Sequence, residues 1–298
     1  MATETRTPAA EEEDRAGRLA SGLDELERTP VTETRWGRFA TRLWAGTWPK
    51  VLALVLVIGI WQLLFFLEVK PAWVLPAPLT VWQDLSDFVV TEDYRRAILI
   101  TMQRALTGFA LSVLIGSVLG IAVARFKPLR AAIGSLITGL QTMPSIMWFP
   151  LAILLFQISE STIMFVVILG AVPSIANGII SGIDYVPPAY KRVGAVLGMK
   201  GLQLYRHVIL PATLPSFVSG LKQGWAFAWR SLMAGELLVI VAGQGSIGAL
   251  MQGAREFNNA PRVLTWIITV LVIGILVDAF FRAADNRIRR TWGLAQSD

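Results

Sequence analysis

The sequence predicts an all-α integral membrane protein with about six transmembrane helices, and three observations carry that reading. Hydrophobic residues make up 54% of the 298-residue chain and charged residues only 16%, with a mean hydropathy of +0.56; soluble domains carry about 25% charge. The charges avoid long stretches: residues 51–67, 105–124, 131–159, 161–183 and 237–254 have none, and 263–277 is a shorter uncharged run. Finally, the 27 Lys and Arg are distributed unevenly between the two sets of loops, which is the mark of a fixed orientation in a bilayer.

Each span follows from length. A bilayer core needs roughly 20 apolar residues per helix, and with their flanks the uncharged runs give spans at 50–68, 98–124, 131–157, 162–183, 212–241 and 262–281. A large soluble helical core would require a polar face on these helices, and most have none. Outside the spans, basic residues concentrate in the N-terminal segment, in Arg125, Lys127 and Arg130, in Lys191, Arg192, Lys200 and Arg206, and in the C-terminal Arg282, Arg287, Arg289 and Arg290. The opposite side carries only Lys70, Arg95, Arg96, Arg255 and Arg262. Both termini are therefore assigned to the cytoplasm, and the net charge of +6 is a mark of orientation that requires no nucleic-acid partner.

Residues 1–34 are polar and Glu-rich and are expected to be a disordered cytoplasmic segment. Over 35–49, Trp36, Phe39, Leu43 and Trp44 fall on one helical side and Arg35, Arg38 and Arg42 mostly on the other. That pattern fits an amphipathic helix lying in the interface, or belt tryptophans ahead of the first span. The membrane-spanning body covers 50–290, with a cytoplasmic tail at 291–298. The connection 68–97, with Pro71, Pro76 and Pro78, reads as external with a short helix at 79–90.

Composition also excludes chemistry. The chain has no Cys and a single His, His207, which removes thiolate and multi-His metal sites and leaves no His-based catalytic pair; no metal site and no catalytic residue is expected. The stretch Gly243-Gln-Gly245-Ser-Ile-Gly248 spells G-x-G-x-x-G but follows an apolar helix rather than a strand, so it reads as a turn into a short external helix at 247–257. No G-x-x-x-x-G-K-[ST] occurs anywhere, so ATP is not cradled by this chain.

The cytoplasmic segment 184–215, DYVPPAYKRVGAVLGMKGLQLYRHVILPATLP, is unusually structured for a membrane-protein loop. Pro187 and Pro188 supply a helix start, Gly198 and Gly201 mark a turn, and a second short helix is expected to run to Pro211. Two short helices in this position look like a docking element. The segment resembles the signature of permease subunits of binding-protein-dependent ABC importers, which reads E-A-A, three residues, Gly, nine residues, then I-x-L-P. Gly198 occupies the Gly position, and Val208, Leu210 and Pro211 follow at the matching spacing. The triplet itself reads Arg192, Val193, Gly194, so the glutamate is missing. VLPAP at 74–78, R-A-L-x-G-F at 104–109, the run from Pro144 to Leu151 and AWRSLMAGELL at 228–238 are similar to the aliphatic-sulfonate, taurine and nitrate branch. Gln141 stands where that branch often places a basic residue.

The resemblance implies a type I importer permease whose loop at 184–211 is a coupling helix seated in an ATP-binding subunit. Tyr190, Lys191, Arg192, Gly194, Gly198, Leu210 and Pro211 then form the coupling element. Two ATPase subunits, a second copy of the permease and an external solute-binding protein are the implied partners, with membrane lipid around the spans. ATP and Mg belong to the ATPases, and no cofactor is expected here. The implied location is the cell membrane of a prokaryote.

Charges inside a span are costly and mark function or pairing. Arg230, Lys222, Gln223, Arg104 and Glu236 are the candidates for a path suited to a small anion, with burial against partners inside the bundle as the structural alternative. Met143, Pro144, Met147 and Trp148 surround breaks in the third span and are gate candidates, or simply packing residues. A small organic sulfonate such as taurine is the expected solute, with nitrate, bicarbonate or a thiamine-precursor-like solute as alternatives. A membrane-embedded transferase or a stand-alone secondary transporter are the rivals from other classes. The pairs Gly116/Gly120, Gly178/Gly182 and Gly220/Gly224 permit close helix contact.

Overall fold

The computed structural model describes residues 35–291, with side chains described over 48–288 apart from Leu202. The expectations for 1–34, for the tail beyond 291 and for the side-chain faces of 35–47 lie outside these residues. Among the described residues every regular element is helical. The chain divides into two units at Leu63/Leu64.

The first unit ends within α1, which runs continuously from Arg35 to Phe66 with Pro49 inside it. The expected interfacial segment and the first span are thus one helix, and Pro49, near its middle, removes a backbone hydrogen bond without ending it. Residues 48–60 are exposed throughout, as a helix facing lipid or another chain requires.

In the second unit, the core is built around α6 (Glu160–Asp184), apolar on every face and the most buried of the long apolar helices. It lies between α3 (Glu92–Arg125) and α8 (Leu210–Leu238). Small residues set the approach: a Cβ on Gly178 would come within 2.7 Å of Gly220 Cα, so only glycine lets the backbones of α6 and α8 meet there. Gly116 and Gly120 face Ile175 and Ala176 of α6 in the same manner, and Gly224 faces Ile175, so all three expected glycine pairs lie in helix contacts. Ile163, Val166, Val167, Ala171 and Ile175 then interlock with Ala105, Trp225, Ala228 and Leu232.

The third expected span, 131–157, is not one helix. It divides into α4 (Lys127–Thr142), a 3-10 turn (Ser145–Trp148) and α5 (Phe149–Phe156), and the two limbs are bent by 107°. Met143 precedes Pro144, and the proline ring forces it extended, with φ −76° and ψ 131°. Pro150 sits in the first turn of α5, where it is tolerated, so Pro144 alone makes the break.

Among the described residues, four helices are long and apolar enough to cross a bilayer by themselves, namely α1, α3, α6 and α10 (Ala260–Thr291), and the bent pair is a fifth if it counts as one span. α8 is long enough, but it carries Lys222, Arg230 and Glu236. Short helices α2 (Pro78–Phe88) and α9 (Ile247–Glu256) occupy the side that the loop charges assign to the exterior. There Phe88, Tyr94 and Trp266 pack ring on ring. Arg262 lies 3.6 Å above the Phe88 ring and grips Asp84 through two nitrogens, tying α2 to α10.

Candidate functional site

The cytoplasmic segment forms a hairpin. Pro188 opens α7 (Pro188–Val196), and Gly198 and Gly201 turn the chain at φ +77° and +53°, a left-handed geometry that favours glycine. A helical turn (Leu202–Leu204) and a π-helical turn (Tyr205–Ile209) follow and lead into α8 without interruption. The second short helix was expected to stop at Pro211 and does not. The wider π turn lies where the proline lacks its N–H and its ring would strike the preceding turn, so the ladder re-forms around it.

Gly194 is buried against Leu204 and Val208, which locks the two limbs together. Met199 N–H closes the turn onto Gly194 O at 2.9 Å. Tyr190 and Val193 on α7 and Leu197 just past its end form an exposed apolar row, beside exposed Lys191 and Arg192. Leu210 is exposed and Pro211 half-buried at the root of the hairpin. The result is a rigid knob with an apolar ridge and a basic flank.

The in-span charges separate into two groups. Arg104 on α3 and Glu236 on α8 meet deep in the fold, 5% and 1% exposed, with Nη1 donating to Oε1 at 2.9 Å. The Arg104 guanidinium also donates to Glu160 at the start of α6 and to Gln244. Glu236 further accepts from the Thr101 hydroxyl and from Gly248 N–H, at 3.0 Å each. It therefore holds the first turn of α9, where backbone N–H groups lack helical partners, and Ser246 caps the same turn. The buried charge is compensated on all sides, as burial demands.

Lys222, Gln223 and Arg230 form the second group, all exposed on α8. Lys222 pairs with Asp278 of α10 at 3.0 Å, and Asp278 also receives Arg282. Arg230 stacks over Phe227 at 5.3 Å and has no ion-pair partner among the described residues. Between α8 and α10 lies a cavity of about 150 Å³ lined by Lys222, Trp225, Trp229, Arg230 and Asp278. Its two indoles are nearly parallel. Arg104 and Glu236 are not at this cavity.

Met143, Pro144 and Met147 are exposed at the α4–α5 bend, and Trp148 packs partly into the core. Gln141 accepts a hydrogen bond from Asn177 of α6 at 3.3 Å. Sequence reasoning missed Glu160, Thr101 and Gln244 as partners of the buried pair. Only Glu160, an acid bordering an uncharged run, carried a signal.

Residues 112–290 match the family described as binding-protein-dependent transport system inner membrane component. SsuC of Bacillus subtilis (strain 168), named for aliphatic sulfonates transport, is 30% identical over 81% of this chain and 87% of its own length. The nitrate import permease protein NrtB of Leptolyngbya laminosa is 27% identical over 80% of this chain and 87% of its own. A solved structure of an amino acid ABC transporter superposes with a TM-score of 0.55 at 16% identity, covering 70% of this chain and 97% of that one. That last likeness concerns the fold, a type I importer permease. With its membrane-spanning helices and the match over its body, the chain belongs to the binding-protein-dependent transport system inner membrane components, as a multi-pass ABC importer permease subunit.

Proposed function

We propose that this permease passes a small organic anion, an alkyl sulfonate such as taurine in first place, from an external solute-binding protein to the cytoplasm. The observation that carries the reading is Arg230, an exposed cation without an ion-pair partner among the described residues, on a membrane helix beside a cavity walled by Trp225 and Trp229. An arginine at that depth needs water, an anion or another chain against it. The indoles offer an apolar surface to the alkyl part and the guanidinium a fork to the sulfonate. Lys222 adds positive charge but is already held by Asp278, so Arg230 has the larger role and Gln223 a polar one.

In this reading two copies of the chain enclose the path, and two ATPase subunits take the hairpin at 184–211 into a groove. ATP and Mg²⁺ are held by those subunits, and this chain carries no cofactor. Met143, Met147 and Trp148 at the α4–α5 bend narrow the path. The likeness to a sulfonate-named relative supports an alkyl sulfonate as the first reading, and the likeness to a nitrate-named relative supports an inorganic anion as the second.

The test is uptake of labelled taurine into vesicles holding the full complex. Arg230→Ala is expected to lower uptake at least tenfold while the ATPase still co-purifies. Omitting the binding protein is expected to abolish uptake, and undiminished uptake without it would overturn the assignment. Competition by nitrate in place of alkyl sulfonates would select the second reading.

A further inference from the structure

We propose that the cytoplasmic end of α3 carries a binding site for an anionic phospholipid of the inner leaflet, its phosphate held between Arg125 and Arg206. A cavity of about 630 Å³ opens there, between the ends of α3 and α6 and the second limb of the hairpin. Ile121, Ile183 and Leu210 form apolar walls, and Arg125, Arg206 and Tyr205 supply the polar groups; among the described residues no carboxylate lines it. Both arginines are exposed, and among the described residues neither has an ion-pair partner. Nearby Arg130, by contrast, is engaged by Asp184 at 2.8 Å.

The cavity is the lower end of a longer feature. Leu111, Leu114, Val118 and Ile121 are all exposed, and they recur with Arg125 at alternating three- and four-residue spacing, which places them on one face of α3. From Leu111 to Arg125 this stripe is about 21 Å long, somewhat more than the ~15 Å hydrocarbon depth of one leaflet. A continuous apolar track ending in two free cations at the cytoplasmic boundary matches one chemistry, a long acyl chain with an anionic head. A soluble phosphate would use the arginines and leave the stripe bare. An ATPase subunit would reach the arginines but not the depth of Leu114. Because Arg125 belongs to α3 and Arg206 to the hairpin, the bound phosphate ties the coupling element to the transmembrane body.

Native mass spectrometry of the full-length chain, purified in mild detergent in the assembly it forms, tests this with dioleoyl phosphatidylglycerol and dioleoyl phosphatidylcholine. Preferential retention of phosphatidylglycerol is expected. Arg125→Gln and Arg206→Gln should each weaken it about fivefold, leaving phosphatidylcholine unchanged, whereas Arg125→Lys and Arg206→Lys should keep the preference. Ile121→Trp, which fills the track, should lower retention of both lipids. Both arginines are exposed, so the variants are expected to melt like the parent. Equal retention of the two lipids, or a preference unchanged in the double Gln variant, would overturn the proposal. So would binding of soluble glycerol phosphate as strong as that of the lipid. A photo-crosslinker at Val118 is expected to capture lipid; capture of a second copy, or of residues 1–50 of the same chain, would assign the groove to that occupant instead.

Discussion

Glu236 is the charge that the fold can least tolerate alone. Its carboxylate is 1% exposed and is met by Arg104, the Thr101 hydroxyl and Gly248 N–H. Breaking a buried pair costs up to about 3–5 kcal/mol, and losing Glu236 also takes the acceptor from Thr101 and Gly248 N–H while Arg104 keeps the more exposed Glu160. Glu236→Ala is therefore expected to lower the melting temperature strongly, as read by thermal unfolding in detergent. Glu160→Ala should cost clearly less, since Glu160 is 37% exposed and Arg104 keeps Glu236. Equal losses would mean that Arg104 is neutralised mainly from α6. The sequence displayed Arg104 and Glu236 as charges within spans, but not that they meet, because they stand 132 positions apart. Lys222 and Asp278 were hidden in the same way. Partner choice at that range is decided by helix packing, and no local pattern encodes it.

At the scale of elements, proline had three outcomes in apolar helices of similar composition. Pro144 breaks the chain through 107°, Pro211 is absorbed by a π turn, and Pro173 lies inside α6 without ending it. Apolar periodicity located the helices well, but it is equally satisfied by a straight or a folded path, so the bend was invisible in it. The hairpin was more legible because its punctuation is chemical: Pro188 opens it, and Gly198 and Gly201 turn it. Its closure rests on Gly194, whose missing Cβ leaves room for Leu204. Gly194→Leu is expected to spread the limbs and to reduce co-purification of an ATPase subunit severalfold, with little change in the melting of the spans. A variant that keeps full co-purification would remove Gly194 from the coupling element.

For the whole molecule, orientation is the boldest reading drawn from the sequence, because it rests only on where Lys and Arg fall. The absence of Cys makes it easy to check. Tyr185 and Phe257 are 82% and 85% exposed and are assigned to opposite sides. A membrane-impermeant maleimide applied to spheroplasts is expected to label Phe257→Cys and not Tyr185→Cys, and inverted vesicles should reverse the pattern. The uninterrupted passage from hairpin to α8 has a further consequence. A helix of 29 residues is about 43 Å long, so a tilt of about 5° sweeps its far end through roughly 4 Å. That sweep exceeds the tolerance of a hydrogen bond, and the far end is where Glu236 grips Arg104 and the first turn of α9. A tilt of α8 as one body would therefore be felt first at that outer clasp, where the Glu236–Arg104 contact is the one it would strain.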